Sequence, residues 1–136
     1  MQAAIEVDSL VKTYPKGVTA LDGLSFSVRP GTVFALLGPN GAGKSTAVKI
    51  LTTLTQPDSG RAAVAGIDVV SQPDHVRRTI GVVSQDSGVD IQATGRENVR
   101  LQGQVYGMHG RQLERRIDEL LGRFGLADAA DRIARG

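Results

Sequence analysis

A short glycine-rich stretch carries the residues of this chain that are best suited to chemistry. It reads Gly-Pro-Asn-Gly-Ala-Gly-Lys-Ser-Thr over residues 38–46 and fits the phosphate-binding loop pattern G-x-x-x-x-G-K-S/T. Gly41 and Gly43 let backbone N–H groups turn inward around phosphates, because side chains at these positions would obstruct that conformation. The stretch therefore predicts a nucleotide phosphate site, lined by Gly38, Pro39, Asn40, Gly41, Ala42, Gly43, Lys44, Ser45 and Thr46.

The last residues of this loop supply its charged and hydroxyl groups. A helix expected to begin near Gly43 directs its N-terminal partial positive charge at the same anion. Lys44 adds a full charge on the β and γ phosphates, and the Ser45 hydroxyl is placed to ligate an octahedral Mg²⁺. Thr46 offers its backbone N–H and its hydroxyl to the α phosphate. The alternative interpretation, a glycine turn before a helix with a surface lysine, is disfavoured because strand, loop and helix patterns agree.

Apolar patterns on both sides of the loop predict the elements that hold it. The run over residues 33–37 predicts a buried strand from Thr32 to Leu37 that leads into the loop. Behind the loop, apolar residues at i, i+3, i+4 and i+7 predict a helix with one face against a sheet; they are Ala47, Ile50, Leu51 and Leu54. Ahead of the loop, three short antiparallel strands are predicted; they are residues 4–11, 20–21 and 24–28.

The chain beyond the first helix changes from mixed structure to helices. We expect a strand or small hairpin over Arg61 to Asp68, a short helix over Pro73 to Arg78, and a short buried strand over Ile80 to Val83. From about residue 90 the sequence predicts helices only. They are a capping-box helix from Thr94 to about Tyr106, an amphipathic helix bearing Leu113, Ile117, Leu120, Leu121 and Phe124, and a short helical segment over Asp128 to Arg135.

Composition excludes several classes of function. The chain has 136 residues and a net charge of only +2, so no nucleic-acid partner is expected. It has no cysteine, which excludes disulfides and thiolate metal sites. His75 and His109 are expected at the surface. No secretory signal and no stretch of about eighteen apolar residues is present, so we expect a soluble chain whose membrane role depends on a partner.

The motifs together resemble the start of an ATP-binding-cassette (ABC) ATPase. The likeness rests on the phosphate loop, on Tyr14 upstream, on Pro57-Asp58-Ser59-Gly60 after the helix, and on the segment 80–85 that ends in Ser84-Gln85. Within the family the chain is similar to the daunorubicin-resistance, drug-exporter type, in which a T-G-R-E-N helix and a Y-G dipeptide follow the glutamine. Here these are residues 94–98 and Tyr106-Gly107.

The resemblance implies an α/β fold of the P-loop NTPase type, with an N-terminal antiparallel β subdomain, part of the core sheet and the start of a helical subdomain. Residues 1–89 would belong to the ATP-binding core and residues 90–136 would begin the helical subdomain. Tyr14 matches the aromatic residue that stacks on adenine, although it could instead be a turn tyrosine that packs on the small sheet. Gln85 matches the glutamine that contacts Mg²⁺ or the attacking water. The resemblance thus implies that Lys44 and Gln85 are catalytic and that Ser45 and Gln85 bind the metal.

The resemblance also implies partners and a location. They are ATP and Mg²⁺, a membrane-spanning permease subunit, and a second ABC ATPase subunit that completes a dimer. The protein would be cytoplasmic and attached to the inner face of the cell membrane through its permease. Binding and hydrolysis of ATP would then drive transport, which fits a drug-type exporter.

The sequence departs from the family by what is missing. It has no L-S-G-G-Q-like signature, no apolar strand ending in Asp-Glu (Walker B) and no later switch histidine. We therefore expect the N-terminal portion of a longer domain, with apolar surface left uncovered, that binds nucleotide weakly and by itself hydrolyses almost none. Two other interpretations remain open, namely a soluble ABC ATPase of translation or repair and a nucleotide-binding remnant without catalysis.

Overall fold

The computed structural model describes residues 2–84 and 88–135. The chain forms two compact units, Met1–Val83 and Ser84–Gly136.

The first unit is built on a four-stranded antiparallel sheet. Its strands are β1 (Ile5–Tyr14), β2 (Val18–Val28), β3 (Ser59–Val64) and β4 (Ile67–Asp68), in the order β2-β1-β3-β4. Of the two forms expected over Arg61 to Asp68, a strand or a small hairpin, the structure has the hairpin, formed by β3 and β4. The prediction of three short strands ahead of the loop was wrong, because β2 is one strand that continues through Asp22 and Gly23, with an irregularity at Gly23 in its pairing with β1.

Two helices cover the sheet of the first unit. They are α1 (Lys44–Leu51) and α2 (Pro73–Thr79), with proline in the first turn of α2 as predicted. Ala47 and Ile50 are fully buried against the sheet, which confirms the apolar face of α1. Leu54 was wrongly included in that face and is 73% exposed, because α1 ends at Leu51 and the helical spacing ends with it.

Two predicted buried strands are not strands in the structure. Residues 32–37 and 80–83 have no strand partner within the described ranges. Phe34 stacks on Phe26 of β2 with ring centroids 5.2 Å apart, and Leu36 and Ile80 pack on the core. Val33, Leu37 and Val83 are almost fully exposed. A continuous apolar run predicts burial on both faces, but the described residues cover only one side of each run.

The second unit is a helical hairpin. Its elements are α3 (Gly95–Val105), α4 (Gly110–Arg123) and a 3₁₀ turn, Ala127–Ala129. The predicted capping box is confirmed, since the Thr94 hydroxyl accepts from the Glu97 amide and the Glu97 carboxylate accepts from the Thr94 amide. Leu113, Ile117 and Leu121 of α4 form the core of this unit with Ala130.

The end of the second unit differs from the prediction. Residues 128–135 form only part of the 3₁₀ turn and then pair with the start of α3, where Gly95 N–H donates to Arg132 O and Ala134 N–H donates to Ala93 O. Extended pairing replaces the expected helix because these residues offer few apolar side chains to bury. Phe124 lies at the C-cap of α4 and is exposed, contrary to the spacing argument.

Candidate functional site

The glycine-rich loop connects residue 37 to α1 and is shaped by two glycines with positive φ. Gly41 has φ 83° and Gly43 has φ 84°, a backbone region that other residues adopt only under strain. A turn within the loop is closed by Ala42 N–H donating to Pro39 O at 3.2 Å. Gly43 is the N-cap of α1, and no side chain of the described residues caps this helix end. The first amides of α1 therefore remain available to an anion.

Lys44 folds back over the loop. Its Nζ donates to Gly38 O and to Pro39 O, each at 2.6 Å. A lysine ammonium prefers charged oxygen acceptors to neutral carbonyls. The two carbonyl contacts thus hold the Lys44 ammonium against the backbone of the glycine loop.

Gly43 also sets the position of the loop against the sheet. A Cβ atom at this residue would lie 2.1 Å from Ala20 O and 2.7 Å from Leu21 Cδ2, distances that side chains do not reach without a shift of the backbone. The β2 strand therefore packs directly on the loop backbone. Only glycine fits both the positive φ and this contact.

Tyr14 and Thr46 bring the end of β1 to the loop. The Tyr14 hydroxyl lies 3.4 Å from Thr46 Oγ1, and Thr46 is only 8% exposed. The predicted aromatic residue and the predicted phosphate residues thus share one site, although they are separated by more than twenty residues of chain. Ser45, by contrast, is exposed in the first turn of α1.

The sequence interpretation gave no role to a pair beside Tyr14. Lys12 Nζ lies 5.9 Å from the centroid of the Tyr14 ring and donates to Asp58 Oδ1 at 2.8 Å. Asp58 Oδ2 accepts from Thr13 N–H at 2.6 Å. The hydrogen bond from Lys12, followed by the one from Thr13, lowers the pKa of Asp58 below its ordinary value, so this carboxylate is ionised at neutral pH. Lys12 and Asp58 are 46 residues apart in the chain, and nothing in the sequence predicts that they pair.

The remaining predicted site residues concern the metal and the attacking water. Gln85 lies outside the described residues, so its assignment stays a prediction. In the part of the chain that the structure describes, no three His, Cys, Asp or Glu side chains are grouped to hold a metal. The Ser45 hydroxyl at the start of α1, next to Lys44 and the free amides, fits a Mg²⁺ that takes its other ligands from phosphate and water.

Comparison with known proteins identifies the family. The model of the family described as ABC transporter matches residues 21–136, so the chain belongs to the ABC transporter ATP-binding family. It is 48% identical over 130 residues to the daunorubicin/doxorubicin resistance ATP-binding protein DrrA of Streptomyces peucetius, covering 96% of this chain and 39% of that protein. It is 40% identical over 129 residues to the Nod factor export ATP-binding protein I of Burkholderia thailandensis, covering 95% and 42%.

A solved structure supports the same fold. The cbiO1 protein of Clostridium perfringens, part of the ABC transporter complex cbiONQ, superposes with a TM-score of 0.79 at 26% identity, over 97% of this chain and 54% of that one. The present chain thus spans about two fifths of the length of the relatives it matches. The predicted family and the partial ABC fold are confirmed, and the family implies ATP binding. Within residues 2–84 and 88–135, no helix is both long and apolar enough to span a membrane.

Proposed function

We propose that this chain forms the nucleotide-binding part of an ATPase subunit that powers a drug-type exporter. Residues 1–89 belong to the ATP-binding core and residues 90–136 begin its helical subdomain. The whole subunit pairs with a second ABC ATPase subunit and acts through a separate membrane-spanning permease, which keeps it on the cytoplasmic face of the membrane. The names of the relatives, which are resistance and export proteins, support this choice over translation or repair.

The observation that carries the proposal is the arrangement at the start of α1. Free helix amides, the Lys44 ammonium and the Ser45 hydroxyl follow a loop that glycine alone allows. These groups form a cradle for a triphosphate. Thr46 lies on the α phosphate side, and Tyr14 beside it offers an aromatic face to the base.

The chemistry of the site follows from an exchange of partners. When a triphosphate enters, the Lys44 ammonium exchanges the carbonyls of Gly38 and Pro39 for charged phosphate oxygens, which favours the bound state. The Ser45 hydroxyl would hold Mg²⁺, which when bound would supply charge neutralisation to the phosphates. Gln85 is proposed to orient the attacking water, together with residues that this chain does not contain.

Binding of MgATP to the full-length protein, measured by calorimetric titration, tests the proposal. Lys44→Ala should weaken binding about ten-fold to a hundred-fold, because it removes a hydrogen bond to a charged group. Lys49→Ala is the matched control, since Lys49 lies exposed in the last turn of the same helix, and it should leave the affinity unchanged. Equal binding by the Lys44→Ala protein and the wild type would contradict the proposed site.

Hydrolysis gives an independent test of the transporter role. We expect the 136-residue chain alone to hydrolyse almost no ATP. The full-length protein should hydrolyse ATP, and Lys44→Ala should abolish that turnover. Recovery of a permease with the full-length protein from membranes would support the exporter assignment. Recovery of ribosomes or DNA instead would contradict it.

A further inference from the structure

The segment before β3 reaches across to the end of β1 at the nucleotide site. Asp58 N–H donates to Val11 O at 2.9 Å, and β3 begins at the next residue, Ser59, opposite Val11. β3 therefore begins too late in the chain to pair with Thr13 of β1. The Asp58 carboxylate takes that place, since its Oδ2 accepts from Thr13 N–H.

The other oxygen of the same carboxylate holds Lys12. The Lys12 side chain is 17% exposed and that of Asp58 is 43% exposed, so the lysine lies along the protein surface and does not extend into water. Its ammonium is positioned over the Tyr14 ring. Asp58 thus fixes both residues that directly precede Tyr14.

The Tyr14 ring is held from two sides by these contacts. Lys12 lies over one face of the ring, and the ring's hydroxyl contacts Thr46 in α1. We therefore expect a base to stack on the face opposite Lys12. A stacking residue contributes most when its rotamer is fixed before the ligand arrives, because less conformational entropy is lost on binding.

We propose that Asp58, acting through Lys12 and the Thr13 amide, is a positioning residue that presents the Tyr14 ring to the base of the nucleotide. The inference rests on the proposed ATP site, and it deepens that site by assigning a role to a pair that lies outside the phosphate loop. It also separates the two parts of the ligand. Asp58 affects binding of the base through Tyr14, whereas Lys44 binds the phosphates.

The test compares ATP with inorganic tripolyphosphate, a ligand that lacks the base, by calorimetric titration of the full-length protein with Mg²⁺. Asp58→Asn should weaken ATP binding about three-fold to ten-fold, the range of an ion pair that acts through one stacked ring. Tripolyphosphate binding should change less than about two-fold, because the phosphate loop is untouched. Asp74→Asn is the matched control, since Asp74 also pairs with a basic residue, Arg77, but does so on α2.

Further variants separate positioning from damage to the fold. If the Asp58→Asn protein is unstable, Lys12→Met provides the same test and should show the same selective loss of ATP binding. Lys12→Arg should retain near wild-type affinity. In a Tyr14→Ala background, Asp58→Asn should have no further effect, because the two residues act as one unit.

The possible outcomes decide between the two proposals. Equal weakening of ATP and tripolyphosphate, an unchanged ATP affinity, or full additivity with Tyr14→Ala would overturn the positioning role and leave the nucleotide site intact. A wild-type protein that binds neither ligand would overturn the proposed function and this inference together.

Discussion

The two units of this chain are stabilised in different ways. In the sheet unit, strands distant in sequence pair with one another, and backbone atoms approach closely at glycines such as Gly43 and Gly60, where a Cβ atom would lie 2.1 Å and 2.3 Å from a carbonyl oxygen. The helical unit has a core of a few α4 side chains and ion pairs between its elements. Arg96 pairs with Asp118 and Asp131, and Arg100 pairs with Glu114 through two hydrogen bonds.

This difference shows which substitutions each unit tolerates. Close backbone packing leaves no room for an added atom, whereas exposed ion pairs contribute little and tolerate replacement. We therefore expect the sheet unit to be sensitive at its glycines. The helical unit should be most sensitive at its few buried side chains.

The largest effect is expected at the centre of the helical core. Ile117 is 1% exposed, and Ile117→Ala should lower the free energy of unfolding by about 2–5 kcal/mol through lost burial and a residual cavity. Hydrogen exchange at α3 and α4 would report the loss. The control Leu101→Ala, at an exposed position of α3, should cost less than about 0.5 kcal/mol. Similar losses in the two variants would show that the helical core does not depend on buried α4 residues.

The next effect is expected where the phosphate loop contacts β2. Gly43→Ala places a Cβ atom against Ala20 O at a positive φ, so it should destabilise the protein by about 2 kcal/mol and also weaken ATP binding. The matched control is Gly23→Ala in β2, which has a similar φ of 77° and no described atom within 4 Å of the added carbon. Chemical denaturation and ATP titration of both variants measure the contribution of the contact itself. Equal losses would mean that φ alone matters and that the close packing of the loop does not.

The smallest effect is an acid dependence of the helical unit. The Thr94 amide lowers the pKa of Glu97 below its ordinary value of 4.5, so the stabilisation by this carboxylate is complete above that value and is lost as the pH falls through the lowered pKa. Far-UV circular dichroism during acid titration should show less pH dependence below about pH 4.5 for Glu97→Gln than for the wild type. An unchanged dependence would exclude the capping carboxylate as its source.

Local sequence determined the features that depend on neighbouring residues. The glycine turn ahead of α1, a helix beginning near Gly43 and the capping box at Thr94 were predicted correctly. Of the two forms expected over Arg61 to Asp68, a strand or a hairpin, the structure has the hairpin. Each is a short pattern with a backbone requirement of its own. The buried positions Leu113, Ile117 and Leu121 of α4 followed from spacing in the same way, whereas Phe124 was wrongly included.

The tertiary structure decided whatever depends on partners distant in the chain. The apolar runs at 32–37 and 80–83 predict strands, but a strand exists only where another one pairs with it, and no described element does so. The contacts of Tyr14 with Thr46 and of Lys12 with Asp58 could not be predicted from the sequence either. Sequence spacing carries no information on which surface positions come into contact in the fold. The sequence alone therefore determined the family and the local geometry of the glycine loop and of the helix that follows it. Only the folded chain showed how the residues around that site are held.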